Sequence, residues 1–361
     1  MKITQKRGII LRAAVCLLSL VLVTTSMAVS RAVPITGAKY VSVIADDNVF
    51  YITYAGARTF QGPSGSSSGG QTGSVSLTLE EGWWAFLLRG GNGGRRAQPL
   101  FEVAGGNGGG GGYAYGVYYF SGGSITLYVA SGGANNSASN ATYGGGAAGG
   151  GYAGSGGGAT VLYEGTNLVA VAGGGGGGGR FNGIMIGCHG GNAGSQNGAG
   201  CDPGYQGHDN NGGSGGTPGS QSTSNHNNSG GGGGSSEGGA GGVGSTANGN
   251  AGNSFQGGSG AANCDSAAGG GGGYYGGGGG ADVGTLGRNG SGGGGSSWCS
   301  AGVLALPAAG GTWGYARSHF DTVQAATLGA GNNYWSNRHD GLACFVYMGV
   351  GFTPESVTAT F

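Results

Sequence analysis

The sequence is poor in charge, in proline and in any fixed repeat. Charged residues are 8% of 361, with 14 basic and 14 acidic side chains and a formal net charge of zero. That balance provides no electrostatic footprint for nucleic acid, whose binding draws on clustered Lys and Arg. The fragment "LRGGNGGRR" (88–96) has the look of an RNA-binding tail, but it occurs once and adjoins a strand pattern. With 7 prolines and no glycine at every third position, a collagen triple helix is excluded. No unit recurs at a fixed period, which excludes a silk-like array. Beyond the first thirty residues no apolar run approaches membrane length.

What the chain has is glycine, at 98 of 361 residues, several times the ordinary usage of about 7%. Such content suggests disorder, because glycine loses the most freedom on folding and buries no side chain. Disordered chains, however, are charged and poor in aromatics, whereas this one carries 17 Tyr, 11 Phe and 5 Trp. The apolar material is grouped into strands. "SVSLTLEEGWWAFLLRGG" (74–91) alternates at Val75, Leu77 and Leu79 and then runs continuously from Trp83 to Leu88. This predicts a half-buried strand followed by a fully buried one. "YAYGVYYF" (113–120), "SITLYVAS" (124–131) and "ATVLYEGTNLVAVA" (159–172) read as further strands, the last with a tight hairpin turn at "EGTN". Residues 33–60 and the C-terminal "LACFVYMGVGF" also have strand texture, and the two ends are expected to pair.

Between the strands lie glycine runs, of which "LVAVAGGGGGGGR" (168–180) is the sharpest: a strand passing directly into seven glycines. Glycine-rich chain can order as the extended three-fold polyproline II type helix, rising about 3.1 Å per residue without internal hydrogen bonds. Its amides must then find partners on neighbouring segments, and the lack of Cβ atoms lets such segments approach. Gly173, Gly176 and Gly179 are accordingly expected in a packed glycine core. The fold class expected is all-β with polyglycine II helices.

Location is read from the N-terminus. Lys2, Lys6, Arg7 and Arg12 precede the apolar "AAVCLLSLVLV" (13–23), with small-residue patterns ending at Ala28 and Ala32. Residues 1–32 are thus expected to be a secretory signal, with an uncleaved anchor helix as the alternative. Residues 33–72 hold N-terminal strands and a Gly/Ser linker, 73–300 the glycine-rich domain, and 301–361 the C-terminal strands. The protein is expected to be extracellular, secreted or surface-associated. In that compartment disulfides are the default, and Cys188 with Cys201 and Cys264 with Cys299 would each staple a glycine-rich loop. Cys344 is left free or pairs between chains.

Chemical motifs are few. At this glycine content G-x-G-x-x-G arises by chance on the order of seven times, so it identifies no dinucleotide site. Cys188-His189, Cys201-Asp202 and His208-Asp209 have zinc-ligand chemistry, but their spacing fits no common finger, and neither metal nor cofactor is expected. Glu80-Glu81, Asp46-Asp47 and Glu102 sit near strand ends as solvated charge, and no catalytic triad or dyad emerges. Aromatics and arginines gather instead in loop-like "GTWGYARSHF" and "NNYWSNRHD", at Trp313, Tyr315, Arg317, Tyr334, Trp335 and Arg338. These are the residue types of binding hot spots, with packing back on the sheet as the alternative.

The blocks "GWWAFLLRGGNGG", "GGNGGGGGYAYG", "GGSITLYVASGG", "GGGATVLYEGTNLVAVAGGGGGGG" and "CDSAAGGGGGYYGGGGGADVGTLGRNGSGGGGSSW" resemble, in order, the extracellular glycine-rich domain of anaplastic lymphoma kinase and leukocyte tyrosine kinase. The resemblance covers roughly residues 73–300. It implies a jelly-roll sheet layer, related to tumour necrosis factor, beside a bundle of polyglycine II helices. The chain carries no catalytic-loop "HRD" and no "DFG", so kinase activity is not expected, and the receptors' cytokine binding does not carry over. The expectation is a non-enzymatic, adhesin-like recognition protein that binds a protein or glycan at a cell surface. The alternative is a self-associating matrix or filament component. No nucleic acid partner is expected, and no membrane contact beyond the export signal.

Overall fold

The computed structural model describes residues 35–36, 41–46, 49–54, 74–95, 106–133, 144–179, 189–193, 228–262, 267–282, 289–304 and 340–351. The signal region, the expected Gly/Ser linker and the aromatic loops after residue 304 lie outside them. The described residues hold eleven strands and no helix. The strands are β1 (Ile35–Thr36), β2 (Val41–Asp46), β3 (Val49–Tyr54), β4 (Ser74–Leu79), β5 (Gly82–Arg89), β6 (Tyr113–Phe120), β7 (Gly123–Tyr128), β8 (Thr160–Glu164), β9 (Asn167–Ala172), β10 (Trp298–Cys299) and β11 (Leu342–Gly349). They form two antiparallel sheets, ordered β1-β4-β7-β8-β9-β10 and β2-β3-β11-β5-β6.

The chain ends do meet in one sheet: β11 lies between β3 and β5, with Phe345 opposite both Phe50 and Phe86. Period-two patterning explains the rest. Val75, Leu77 and Leu79 of β4 turn inward while Ser76 and Thr78 turn out. β5 is apolar throughout because both its faces are buried, Trp84, Phe86 and Leu88 on one and Ala85 and Leu87 on the other. A single core unites the two sheets, joining Leu77, Leu127, Leu162 and Ala170 of the first to Phe86, Leu88, Phe120 and Phe345 of the second. Burying such side chains stabilises by about 1.5–3 kcal/mol each. The hairpin read from "EGTN" joins β8 to β9, and Gly165 takes the left-handed φ of 57° that its turn requires.

The glycine runs continue this core as a hydrogen-bonded lattice. Residues 173–179 are all buried, and their partners recur every three residues. Gly174 and Gly177 donate to Gly272 and Gly269, and accept from Gly295 and Gly292. Gly175 and Gly178 donate to Gly91 and Gly94, and accept from Gly157 and Gly154. Gly173 and Gly176 accept from Gly112 and Gly109. The same period recurs at Gly276 and Gly279, which donate to Asn253 and Asn250, and at Gly277 and Gly280, which donate to Gly271 and Ala268. Backbone groups that a sheet would satisfy within one plane are here satisfied in several directions, as buried amides require. A Cβ on any of the seven glycines would meet a backbone carbonyl oxygen of a neighbouring segment, Gly292 in the case of Gly176. That is why no other residue interrupts the run.

Candidate functional site

Two parts of the molecule bring functional chemistry together: the junction where strands pass into glycine, and the outer face of the six-stranded sheet. At the junction, β5 ends at Arg89, β9 ends at Ala172, and β8 begins after the glycines at 156–158. Thr160 ties them. Its hydroxyl donates to the Arg89 carbonyl at 2.7 Å and accepts from the Ala130 amide at 3.2 Å. The buried Arg89 guanidinium donates to the Asp340 carbonyl at 2.6 Å, and Asp340 Oδ1 accepts from the Gly132 amide at 2.7 Å. Burial pulls the Arg89 pKa below its ordinary value, against the opposing pull of Tyr113 and Asp340. This cluster anchors the chain just after the segment that carries the predicted aromatic loops, and its groups serve packing.

At the edges of the described lattice, side chains take over amide bonds. Asn92 Oδ1 accepts from Gly111 at 2.9 Å, Asn192 Oδ1 from Gly110 at 2.7 Å, and Asn248 Oδ1 from Gly244 at 3.0 Å. His189 Nδ1 accepts from the Asn107 amide at 3.1 Å. Serines close the side nearest β10: Ser297 Oγ accepts from Gly173 and Ser296 Oγ from Tyr275, both at 3.0 Å.

The outer face of the six-stranded sheet is aromatic on its β10 side. Tyr128, Tyr163, Leu168, Phe255, Tyr274 and Trp298 are half-buried around Val161 and Val171. Tyr274 stacks on Trp298 with centroids 4.8 Å apart and planes 10° from parallel. Phe255 and Tyr275 meet Tyr274 edge-on at 6.2 and 5.1 Å, and Tyr128 meets Tyr163 at 6.0 Å. Burial, with Tyr128 nearby, raises the Tyr163 pKa. Phe255 holds a φ of 59°, a conformation that is a genuine outlier for a bulky side chain.

The predicted ligand-binding residues Trp313, Tyr315, Arg317, Tyr334, Trp335 and Arg338 lie outside the described residues, as do Cys188, Cys201 and Cys264. Gly173, Gly176 and Gly179 sit within the lattice, each facing a carbonyl of another segment. Cys299 forms no disulfide with a described residue, and Cys264, its expected partner, lies outside the described residues. Cys299 stands in β10 opposite Ala170, where its side chain packs on the shared core, and burial pushes its pKa to about 12. Cys344 is buried and likewise forms no disulfide with a described residue. Of the acidic candidates, Glu81 accepts from the Tyr119 hydroxyl at 2.6 Å, and the Glu80 carbonyl accepts from the Trp84 indole at 3.1 Å. Among the described residues no group of three or more His, Cys, Asp or Glu is placed to hold a metal, and no helix is long and apolar enough to cross a membrane.

The aromatic face went unread in the sequence because its members lie far apart in the chain and only strand pairing joins them. The signal that pointed to it was alternation: Tyr128 and Tyr163 fall on the faces opposite Leu127 and Leu162. No protein-family model and no curated protein matches the chain.

Proposed function

We propose that this chain is an extracellular, non-enzymatic recognition protein in which a rigid glycine bundle and a sheet layer together display a binding surface. In this reading the glycine segments are polyglycine II helices and the two sheets a jelly roll, as the resemblance to the glycine-rich domain of anaplastic lymphoma kinase and leukocyte tyrosine kinase implies. The three-residue period of the hydrogen-bond partners supports the first part, since a helix of three residues per turn presents positions i and i+3 to the same neighbour.

The observation that carries recognition is the half-buried aromatic array on the outer sheet face, with its outlier backbone at Phe255. Strained backbone persists only where its surroundings over-determine it, and it concentrates at binding sites. Tyrosine and tryptophan supply rigid contact area at small entropic cost. The test is capture of the purified chain on intact cells, cell walls and extracellular matrix, each with a denatured control. Saturable binding to one surface supports the reading, and no retention on any surface sinks it.

A structural role is the second reading. It is favoured by Gly110 on the flank of the lattice, which is half-exposed and where a Cβ would meet only the Asn192 side chain. Light scattering over a hundredfold concentration range separates the two, because a filament component grows with concentration and a recognition module stays monodisperse.

A further inference from the structure

The outer face of the six-stranded sheet is uncharged across its described side chains. Strand pairing aligns Ser76, Thr126, Tyr163 and Leu168 in one row across β4, β7, β8 and β9. Tyr128, Val161, Val171 and Trp298 form the next row across β7 to β10, but Val161 and Val171 are fully buried in the cluster on which Phe255 and Tyr274 pack, so this row is closed in its middle. Thr78 and Ser124 pair in a third, fully exposed row. Strands lie about 4.8 Å apart, so the first row, half-exposed throughout, runs about 15 Å.

The nearest carboxylate, Glu164 at the end of β8, is turned away from this face. Its oxygens accept from the Ser121 amide at 2.9 Å, the Ser121 hydroxyl at 2.8 Å and the Tyr118 hydroxyl at 3.1 Å. The hydroxyls of Ser76, Ser124, Thr126, Tyr128 and Tyr163 are engaged by no other described side chain. Among the described residues the face therefore combines aromatic rings, hydroxyls engaged by no other side chain, and no counter-charge.

Each feature narrows the ligand. A charged ligand would lose hydration against a surface without an opposite charge, which is unfavourable. A purely apolar partner would cover the hydroxyl rows and leave them unpaired, at further cost. A ligand with flat C–H faces and hydroxyl edges satisfies both halves, and a row of about 15 Å takes several such rings end to end.

We propose that this face binds a neutral oligosaccharide along its first row, with Tyr163 and the neighbouring Tyr128 against the C–H faces of the sugar rings and Ser76, Ser124 and Thr126 bonding their hydroxyls. The inference rests on the recognition reading and names its ligand class. It also places binding on a sheet face, away from the loops that the sequence singled out.

The experiment is affinity electrophoresis of the full chain in gels containing neutral polysaccharides (a β-glucan, a mannan, a xylan) or charged ones (heparin, alginate). Tyr163→Ala, Tyr163→Phe and Thr126→Val run alongside, and each variant's unfolding midpoint is checked. The expected result is retardation by at least one neutral polysaccharide that persists in 0.5 M salt. Tyr163→Ala should weaken it tenfold or more, and Tyr163→Phe and Thr126→Val severalfold. If Tyr163→Ala fails to fold, the two conservative variants decide the matter.

Retardation by the charged polymers alone, abolished by salt, overturns the inference, as does neutral binding that all three variants retain. Retention on cells without retardation by any polysaccharide overturns the oligosaccharide and leaves recognition standing. Loss of both overturns both.

Discussion

Replacing Gly176 with alanine places a methyl group where the lattice has no room for one. The new Cβ collides with the carbonyl of Gly292 and crowds that of Gly293. A carbon and an oxygen approach to about 3.3–3.6 Å, so the 289–295 segment must retreat by about 1 Å. That segment is held by the Gly292 amide to Gly177, the Gly295 amide to Gly174 and the Gly293 amide to Gly278. Overpacking costs about 1–3 kcal/mol, and stretching two of these bonds costs about 1 kcal/mol apiece. The unfolded chain loses entropy on Gly→Ala, which returns about 0.4–1 kcal/mol. The expected net destabilisation is about 2–4 kcal/mol, a large part of the 5–15 kcal/mol typical of a domain.

The matched control is Gly110→Ala, in the same lattice, where the methyl would sit 3.5 Å from Asn192 Oδ1 in ordinary contact. It should be neutral, or stabilising by up to about 1 kcal/mol. Urea unfolding followed by tryptophan fluorescence reads both variants. A Gly176→Ala midpoint equal to that of wild type, or a Gly110→Ala as damaging as Gly176→Ala, refutes the close-packed lattice.

Three further outcomes follow from the geometry. Thr160→Val keeps the shape of Thr160 but leaves the Arg89 carbonyl and the Ala130 amide unpaired; it should cost about 2–4 kcal/mol in chemical unfolding, with Thr160→Ser close to wild type. Gly165→Ala fits the open space around the turn, so only the left-handed backbone penalty of about 1–2 kcal/mol should appear in the thermal midpoint, and Gly165→Asn should recover most of it. Cys299 should resist iodoacetamide at pH 8 in the folded protein and react in urea. Its pKa rises from 9.0 to about 12 on folding, so above pH 9 the unfolded chain gives up a proton that the folded one keeps. The stability it contributes is whole below pH 9 and declines toward pH 12 by about 1.4 kcal/mol per unit. Cys299→Ala should therefore flatten the alkaline loss of stability; an unchanged slope contradicts the burial of this thiol.

The strands were legible because their burial is written in period-two alternation, as in Val75, Leu77 and Leu79, or in a continuous run where both faces are covered, as in β5. The hairpin at Gly165 was legible from turn chemistry. The order of glycine residues 173–179 followed from their direct attachment to a strand together with the need to pair every buried amide. Which segments they pair with was not, because glycine has no side chain to encode register. Their partners are set by backbone geometry and by the asparagines and serines that close the edges, and nothing in Asn92 or Asn192 marks them as such in the sequence.

The short strand β10 was hidden for a related reason. "SSWCS" follows a glycine run and looks like a loop, yet two of its residues pair with β9 and carry the thiol into the core. The outer aromatic face was hidden for a different reason, since Tyr128, Tyr163, Phe255, Tyr274 and Trp298 become neighbours only through sheet pairing and the path of the glycine segments.

The claim on which the rest depends is that the glycine runs are ordered core. Amide hydrogen exchange followed by mass spectrometry, on peptides spanning residues 168–182 and residues 82–90, tests it directly. If the lattice is the core, both peptides exchange only through global opening, with the 173–179 amides protected as strongly as those of β5. Exchange of the glycine amides within seconds, at the rate of an unstructured chain, while β5 stays protected, would contradict it.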